Sequence, residues 1–181
     1  MGVNILFVCT GNICRSPMAE LLFPRFIADP AITVASAGTH GLTGHPIATH
    51  SGALMRHDGI DPSAFRARRL TAQIAQDADL ILCFDKTQRS DIVTTAPTRN
   101  RRTFVLPDFA NACTYCAKAG YVKGETPAQR LESVIANADL VRPMLPAVRN
   151  VDDPQGKDMP AFVEAHNEIV AAFNAIAIAV R

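Results

Sequence analysis

Asn4-Ile5-Leu6-Phe7-Val8-Cys9-Thr10-Gly11-Asn12-Ile13-Cys14-Arg15-Ser16-Pro17 is an apolar run that ends in a cysteine, followed by a short loop and a serine-proline helix start. Residues 4–9 read as a buried strand, and residues 16–28 carry helical spacing through Met18, Leu21, Leu22 and Phe26. Similar apolar runs recur at 32–35, 80–83 and 103–106, separated by helical patterns around 47–57 and 86–94. Strands alternating with helices predict an α/β fold: an open doubly wound, four-stranded parallel sheet with helices on both faces. Ligands of such sheets bind beyond the carboxyl ends of the strands, which is where the loop after Cys9 lies.

Residues 111–150 break this rhythm and read as an inserted helical segment. They contain Cys113-Thr114-Tyr115-Cys116, two glycines and one helix, which starts at the capping box Thr126-Pro127-Ala128-Gln129. Leu131, Val134, Ile135 and Ala138 give that helix an apolar stripe, so it is expected to pack on the body. Its removal is expected to alter substrate preference more than chemistry. A last helix over about 159–180 closes the chain. No repeat or low-complexity tract marks a second unit, and 1–181 is expected to form a single domain.

Of the 181 residues, 48% are hydrophobic and 19% charged, which is ordinary for a folded protein. The net charge of +1 gives no global field favouring nucleic acid or an anionic membrane, so neither is expected as a partner. No apolar stretch is expected to span a membrane, and the N-terminus does not read as a signal peptide. A cytoplasmic protein is expected, and the odd set of five scattered cysteines fits reduced thiols.

The loop from Cys9 to Pro17 is where chemistry is expected. Successive backbone amides in a tight loop at a helix N-terminus form a cradle for a tetrahedral oxyanion. Gly11 is expected to permit the turn. Arg15 adds a planar fork that holds two phosphate oxygens together. The same positive surroundings favour the thiolate of Cys9, with the hydroxyls of Thr10 and Ser16 helping to hold its charge. A thiolate beneath a bound phosphate attacks phosphorus in line, and the departing alkoxide then needs a proton. Asp153, before Pro154, is the preferred donor, with the adjacent Asp152 as its rival. No cofactor or metal is needed for such chemistry.

The segment Val8-Cys9-Thr10-Gly11-Asn12-Ile13-Cys14-Arg15-Ser16-Pro17-Met18-Ala19-Glu20, together with Asp153-Pro154, closely resembles the low molecular weight protein tyrosine phosphatases. Ser36-Ala37-Gly38-Thr39, residues 80–86 and the helix after Pro154 extend the resemblance over most of the chain outside the insertion. It implies a phosphomonoester hydrolase with Cys9 as nucleophile, Arg15 as phosphate clamp and Asp153 as general acid and base. Thr10, Gly11, Asn12, Ile13, Cys14, Arg15 and Ser16 would bind the phosphate, with Asn12, Ser16 and Ser36 supplying the supporting hydrogen bonds. The substrate would be a phosphorylated protein or a small phosphomonoester, and the enzyme a monomer or weak homodimer. Leu42 and Gln155 stand where eukaryotic relatives carry aromatic pocket walls. Phe84, Phe109, Tyr115 or Tyr121 would replace those walls if the insertion folds over the mouth. Ile13 also departs from the related phosphoarginine phosphatases, which carry threonine there.

Two alternatives stay open. The related thioredoxin-coupled arsenate reductases share the cysteine loop and an Asp-Asp-Pro sequence, here Asp152 to Pro154. They need two further cysteines; Cys83 can stand for one, but Ser90 occupies the other place, leaving Cys113 and Cys116 as substitutes. The other alternative is a noncatalytic phosphate-binding or redox-sensing module. Cys14 is a candidate for a reversible disulfide with Cys9, against the simpler reading of a small inward-packed loop residue. Cys113 and Cys116 have metal-ligand spacing but no second pair, so no metal site is expected. His40 and His45 follow Ser36 and are expected to cap or solvate the pocket. Asp85 is expected to anchor a loop.

Overall fold

A computed structural model describes residues 2–181. Four parallel strands, β1 (Val3–Cys9), β2 (Ile32–Gly38), β3 (Leu80–Cys83) and β4 (Thr103–Val105), lie in the order β2-β1-β3-β4. The helices are α1 (Arg15–Phe26), α2 (Thr49–His57), α3 (Ala72–Gln76), α4 (Lys86–Thr95), α5 (Leu106–Lys118), α6 (Pro127–Val141) and α7 (Met159–Val180). β1 pairs with β2 on one side and β3 on the other, in register from Val3–Ile32 to Cys9–Gly38 and from Ile5–Leu80 to Val8–Cys83. The chain therefore reverses its direction of growth at β1, and the crevice this opens lies at the end of the strand that carries Cys9.

Residue alternation along the strands feeds two cores. Val3, Ile5, Phe7, Leu80, Leu82 and Phe104 face the layer made by α1, α2, α5, α6 and α7. Leu6, Val8, Ile81, Cys83 and Val105 face the thinner layer that holds Ala75 of α3 and Ile92 of α4. The fold is the doubly wound one expected, with helices on both faces. In the larger core Phe23 and Phe173 meet edge to face at 5.1 Å, and Phe7 lies 5.6 Å from Phe173, which locks α1 and α7 onto β1.

Residues 111–150 differ from expectation in two ways. They hold the end of one helix, α5, as well as the whole of α6, and the Cys113-to-Cys116 stretch, given no element by the sequence, is helical. The capping box is present, with Thr126 accepting from the Gln129 amide. Neither helix covers the mouth of the Cys9 loop. Cys113, Cys116, Leu131, Val134 and Ala138 are fully buried in the larger core, and Ile135 and Val141 nearly so. Phe84 and Phe109 are also fully buried, and neither Tyr115 nor Tyr121 reaches the cavity above Cys9, so none of these four rings replaces the missing walls.

The core role of this segment reverses the expected outcome of deleting it. Each fully buried Leu-, Val- or Ile-sized side chain contributes about 1.5–3 kcal/mol. Several lost together exceed much of the ~5–15 kcal/mol by which a domain is stable. Excision of 111–150 is expected to give a chain with no cooperative thermal transition by circular dichroism. A folded, active deletion would contradict this.

α7 is the closing helix expected over 159–180. By length and composition alone it is apolar enough to cross a membrane, with mean hydropathy 1.2 over its most apolar window. Here it is a core helix, burying Phe162, Ala165, Ile169, Ala172, Phe173, Ile176, Ala177 and Val180 against the body.

Candidate active site

The loop after β1 is held from outside through its carbonyls. Those of Cys9, Thr10, Gly11 and Ile13 accept from the amides of Thr39 (2.9 Å), His40 (2.9 Å), Leu42 (3.0 Å) and Ala48 (2.8 Å), and Ser51 Oγ reaches the Cys14 carbonyl at 3.3 Å. With the carbonyls turned outward, the amides turn inward. Those of Gly11 to Arg15 have no partner among the described residues, which leaves a row of donors for an oxyanion. Gly38 lets the bracing segment come this close: a Cβ there would sit 2.5 Å from the Thr10 carbonyl oxygen and 2.9 Å from the Asn12 nitrogen.

Gly11 does not play its expected part. Space exists for a Cβ there, and the left-handed residue of the loop is Asn12, at φ 58°. Asparagine tolerates that conformation better than most L residues, and here its side chain fixes it. Fully buried, Asn12 Nδ2 donates to Ser16 Oγ (2.8 Å) and Ser36 Oγ (2.9 Å), and its Oδ1 accepts from the Arg68 amide (2.8 Å). Ser16 Oγ in turn lies 2.9 Å from Cys9 Sγ. The chain of bonds continues past Ser36 to Glu20 on α1, a partner the sequence reading did not single out. Burial raises the Glu20 carboxyl above its ordinary range, against the lowering effect of Ser36 and Arg68.

Arg15 is 2% exposed, an unusual place for a guanidinium. Its Nη1 donates to the Val151 carbonyl at 2.8 Å and lies 3.4 Å from Asp85 Oδ2, and its Nη2 lies 3.6 Å from Asp153 Oδ1. Its Nε is buried with no partner among the described residues, a donor left over at the edge of the amide row. Asp85 anchors as expected: Oδ1 caps α4 by accepting from the Gln88 amide at 2.8 Å while Oδ2 faces Arg15. The Val151 carbonyl carries no sequence signal and could not have been found without the fold.

Cys9, Thr10, Gly11, Ile13, Cys14, Arg15, Leu42, Asp153 and Gln155 line one cavity of about 210 Å³, and His40 joins them. Asn12, Ser16 and Ser36 lie beneath it. His45 does not line it. Asp153 is half exposed at the mouth, where its Oδ1 accepts from the Gln155 amide at 3.0 Å. Asp152 does not line it; with Asp153 it lines a neighbouring cleft beside Glu164 and Glu168.

Among the described residues no cluster of His, Cys, Asp or Glu has the makings of a metal site. Cys14, which donates to Gln155 Oε1 at 2.9 Å, has its thiol pushed up to about 12 by burial, then by Cys9 and Asp153. It remains a thiol at neutral pH. Cys83 lies in the other core from Cys9 and is also raised by burial, as are Cys113 and Cys116 in α5.

Comparison with known proteins agrees with this geometry. A probable low molecular weight protein-tyrosine-phosphatase, EpsP, of Ralstonia nicotianae is 42% identical over 103 residues, covering 57% of this chain and 70% of its own. Among solved structures, Vibrio vulnificus Wzb in complex with benzylphosphonate superposes with a TM-score of 0.70 at 25% identity, over 98% of this chain and 99% of that one. The YwlE arginine phosphatase from Geobacillus stearothermophilus gives 0.71 at 25% identity, over 97% and 91%. Residues 4–118, which run from β1 through the Cys9 loop to the end of α5, match the profile of the low molecular weight phosphotyrosine protein phosphatases, and the chain belongs to that family of cysteine-based phosphohydrolases.

Proposed function

We propose that Cys9, Arg15 and Asp153 hydrolyse aryl phosphomonoesters of the phosphotyrosine type without a metal, through a phosphocysteine on Cys9. The observation that carries this reading is the row of unpartnered amides from Gly11 to Arg15 around the Cys9 sulfur, with Asp153 at the opening. Those amides and Arg15 Nε hold the phosphoryl oxygens, and the Sγ of Cys9 attacks phosphorus. The bond to the leaving oxygen breaks as Asp153 gives that oxygen a proton. Water then attacks the phosphocysteine, Asp153 takes its proton, and the P–S bond breaks to release inorganic phosphate.

The walls support an aryl substrate. Ile13 and Leu42 offer apolar surface for a ring, and phosphotyrosine has the length to reach the loop while its backbone stays outside. That the Vibrio relative was solved in complex with benzylphosphonate, an aryl-bearing ligand, supports an aryl substrate. Phosphoarginine, as in the arginine phosphatase relative, presents a polar guanidino group to the same walls, where Ile13 offers it nothing. The arsenate-reductase alternative lacks a relay: Cys83 is on the far side of the sheet, and Cys113 and Cys116 are sealed in the core. Cys14 is the one cysteine beside Cys9, and a reversible disulfide between them protects the nucleophile from irreversible oxidation. We place the enzyme in the cytoplasm as a monomer or weak homodimer, with its five cysteines reduced.

The test sets turnover of an aryl phosphate in the presence of a chelator beside arsenate reduction supplied with thioredoxin. Hydrolysis without reduction is expected. Loss of hydrolysis on chelation would overturn metal independence, reduction would favour the relay, and phosphate binding with neither activity would favour the noncatalytic module.

A further inference from the structure

A cleft of about 450 Å³ opens beside β4, and nothing in the phosphatase reaction uses it. α4 supplies Lys86 and Arg89, α5 supplies Asp108 in its first turn, and Arg142 follows α6. Three cations thus line the cleft with the carboxyl of Asp108, and Asp139 Oδ1 lies 3.7 Å from Arg142 Nη2. Arg89 gives Nε to the Thr103 carbonyl at 2.9 Å and Nη2 to Asn100. Arg142, its guanidinium 4.1 Å from the centre of the Phe104 ring, gives Nη2 to the same Thr103 carbonyl at 3.1 Å. Neither arrangement occupies the Nη1 of either arginine or the Nζ of Lys86.

Two buried polar atoms in this cleft lack partners among the described residues: Arg142 Nε and Asp108 Oδ1. Asp108 is only 4% exposed. Burial raises its carboxyl, with Arg142 and Arg89 pulling the other way, while burial and then Arg89 push Arg142 down against the opposing pull of Asp139 and Asp108. A native structure seldom leaves a buried donor and a buried acceptor unsatisfied in one cleft, and an unfilled ligand position is one of the few explanations.

The chemistry of the cleft selects its ligand. Three cations against Asp108 and the Asp139 beside Arg142 still leave a positive excess that calls for an anion, but Asp108 rejects any anion that offers it only acceptors. Sulfate and the dianion of a phosphomonoester are of that kind. Inorganic phosphate at neutral pH keeps a hydroxyl. We propose that this cleft is a second site for inorganic phosphate, with Asp108 accepting from its P–OH while Lys86, Arg89 and Arg142 hold the anionic oxygens. The ligand is the product of the reaction at Cys9. The cleft also adjoins the segment that carries Asp153, because the Lys86 amide donates to Asn150 Oδ1 at 3.2 Å and the Val151 amide to the Phe84 carbonyl at 2.7 Å.

The test titrates inorganic phosphate and, separately, sulfate into the isotope-labelled full chain while amide resonances are followed by NMR. The amides of residues 10–15 report the Cys9 loop; those of Lys86, Arg89, Asp108 and Val148 report the cleft. Phosphate is expected to move both sets, with independent saturation curves. Sulfate is expected to move the cleft set roughly tenfold more weakly or worse, the cost of leaving a buried charged acceptor unpaired. Asp108→Asn is expected to abolish this preference, and Lys86→Ala to weaken phosphate in the cleft several-fold while the loop set saturates as before. Cleft resonances that never move with phosphate, or that follow sulfate equally well in the unaltered chain, would overturn the proposal. A responsive cleft beside a silent loop would instead overturn the catalytic reading and leave this one standing.

Discussion

Cys9→Ser is expected to fold normally, to bind inorganic phosphate in the loop, and to lose aryl phosphate turnover by ~10⁴-fold or more. The two halves of that result have separate causes. Binding is done by the amides of Gly11 to Arg15 and by Arg15 itself, which are braced from outside by Thr39, His40, Leu42 and Ala48 and do not depend on the sulfur. Chemistry depends on it entirely, since a serine hydroxyl at neutral pH is neither ionised nor beside a base that would ionise it. Ser16, the one hydroxyl within reach of Cys9 Sγ, is itself bonded to Asn12. Phosphate binding is read by protection against thermal unfolding and turnover by a chromogenic aryl phosphate. Retention of more than about a tenth of the activity would mean that another group is the nucleophile.

Asp153→Asn is expected to lower kcat/KM, which reports the phosphorylation step, by ~10²–10⁴-fold for substrates with poor leaving groups and much less for an activated aryl phosphate, while kcat falls for both because the phosphocysteine they share loses its water-activating base. The contrast arises because an activated leaving group departs as an anion unaided, whereas a poor one needs the proton. Asparagine keeps the shape of the side chain and its place near Arg15, so a loss caused by misplacement of the loop would fall equally on both substrates. Equal losses in kcat/KM would therefore remove Asp153 from the role of proton donor to the leaving group. Asp152→Asn serves as the comparison. It lines the neighbouring cleft beside Glu164 and Glu168, and turnover of either substrate should change little.

The fold was legible because its signals are local. Runs such as Leu80–Cys83 are short, apolar and bounded by polar turns, and the alternation of strand and helix permits few topologies. α3 escaped notice because a five-residue helix leaves too short a pattern, although Thr71 caps it by accepting from the Ile74 amide. The nature of 111–150 was harder to see. Its departure from the alternating rhythm suggested a peripheral segment, but an apolar stripe such as Leu131, Val134, Ile135 and Ala138 shows that a helix packs without showing where.

The site divides in the same way. Cys9, Arg15 and the loop between them stand consecutively in the sequence, and the structure brings Asp153, Leu42 and Gln155 to the same cavity. What sequence could not supply were contacts that exist only after folding: the Val151 carbonyl on Arg15, the bond from Ser36 to Glu20, and the side-chain Nε2 of Gln88 on Thr10 Oγ1. Gly11 was credited with the turn because glycine is the usual residue there. The loop instead places Asn12 in the left-handed region, where its amide group also ties three segments together.

The central claim is that a phosphoryl group passes through the sulfur of Cys9, and the most direct measurement is mass spectrometry of peptides from an acid-quenched reaction. Asp153→Asn with an activated aryl phosphate is the best material, since phosphorylation proceeds while the water-activating carboxylate is gone. A phosphate adduct on the peptide that holds Cys9, formed within the first turnover and slow to decay, is the predicted result. Continued turnover with that peptide unmodified at every quench time would contradict it.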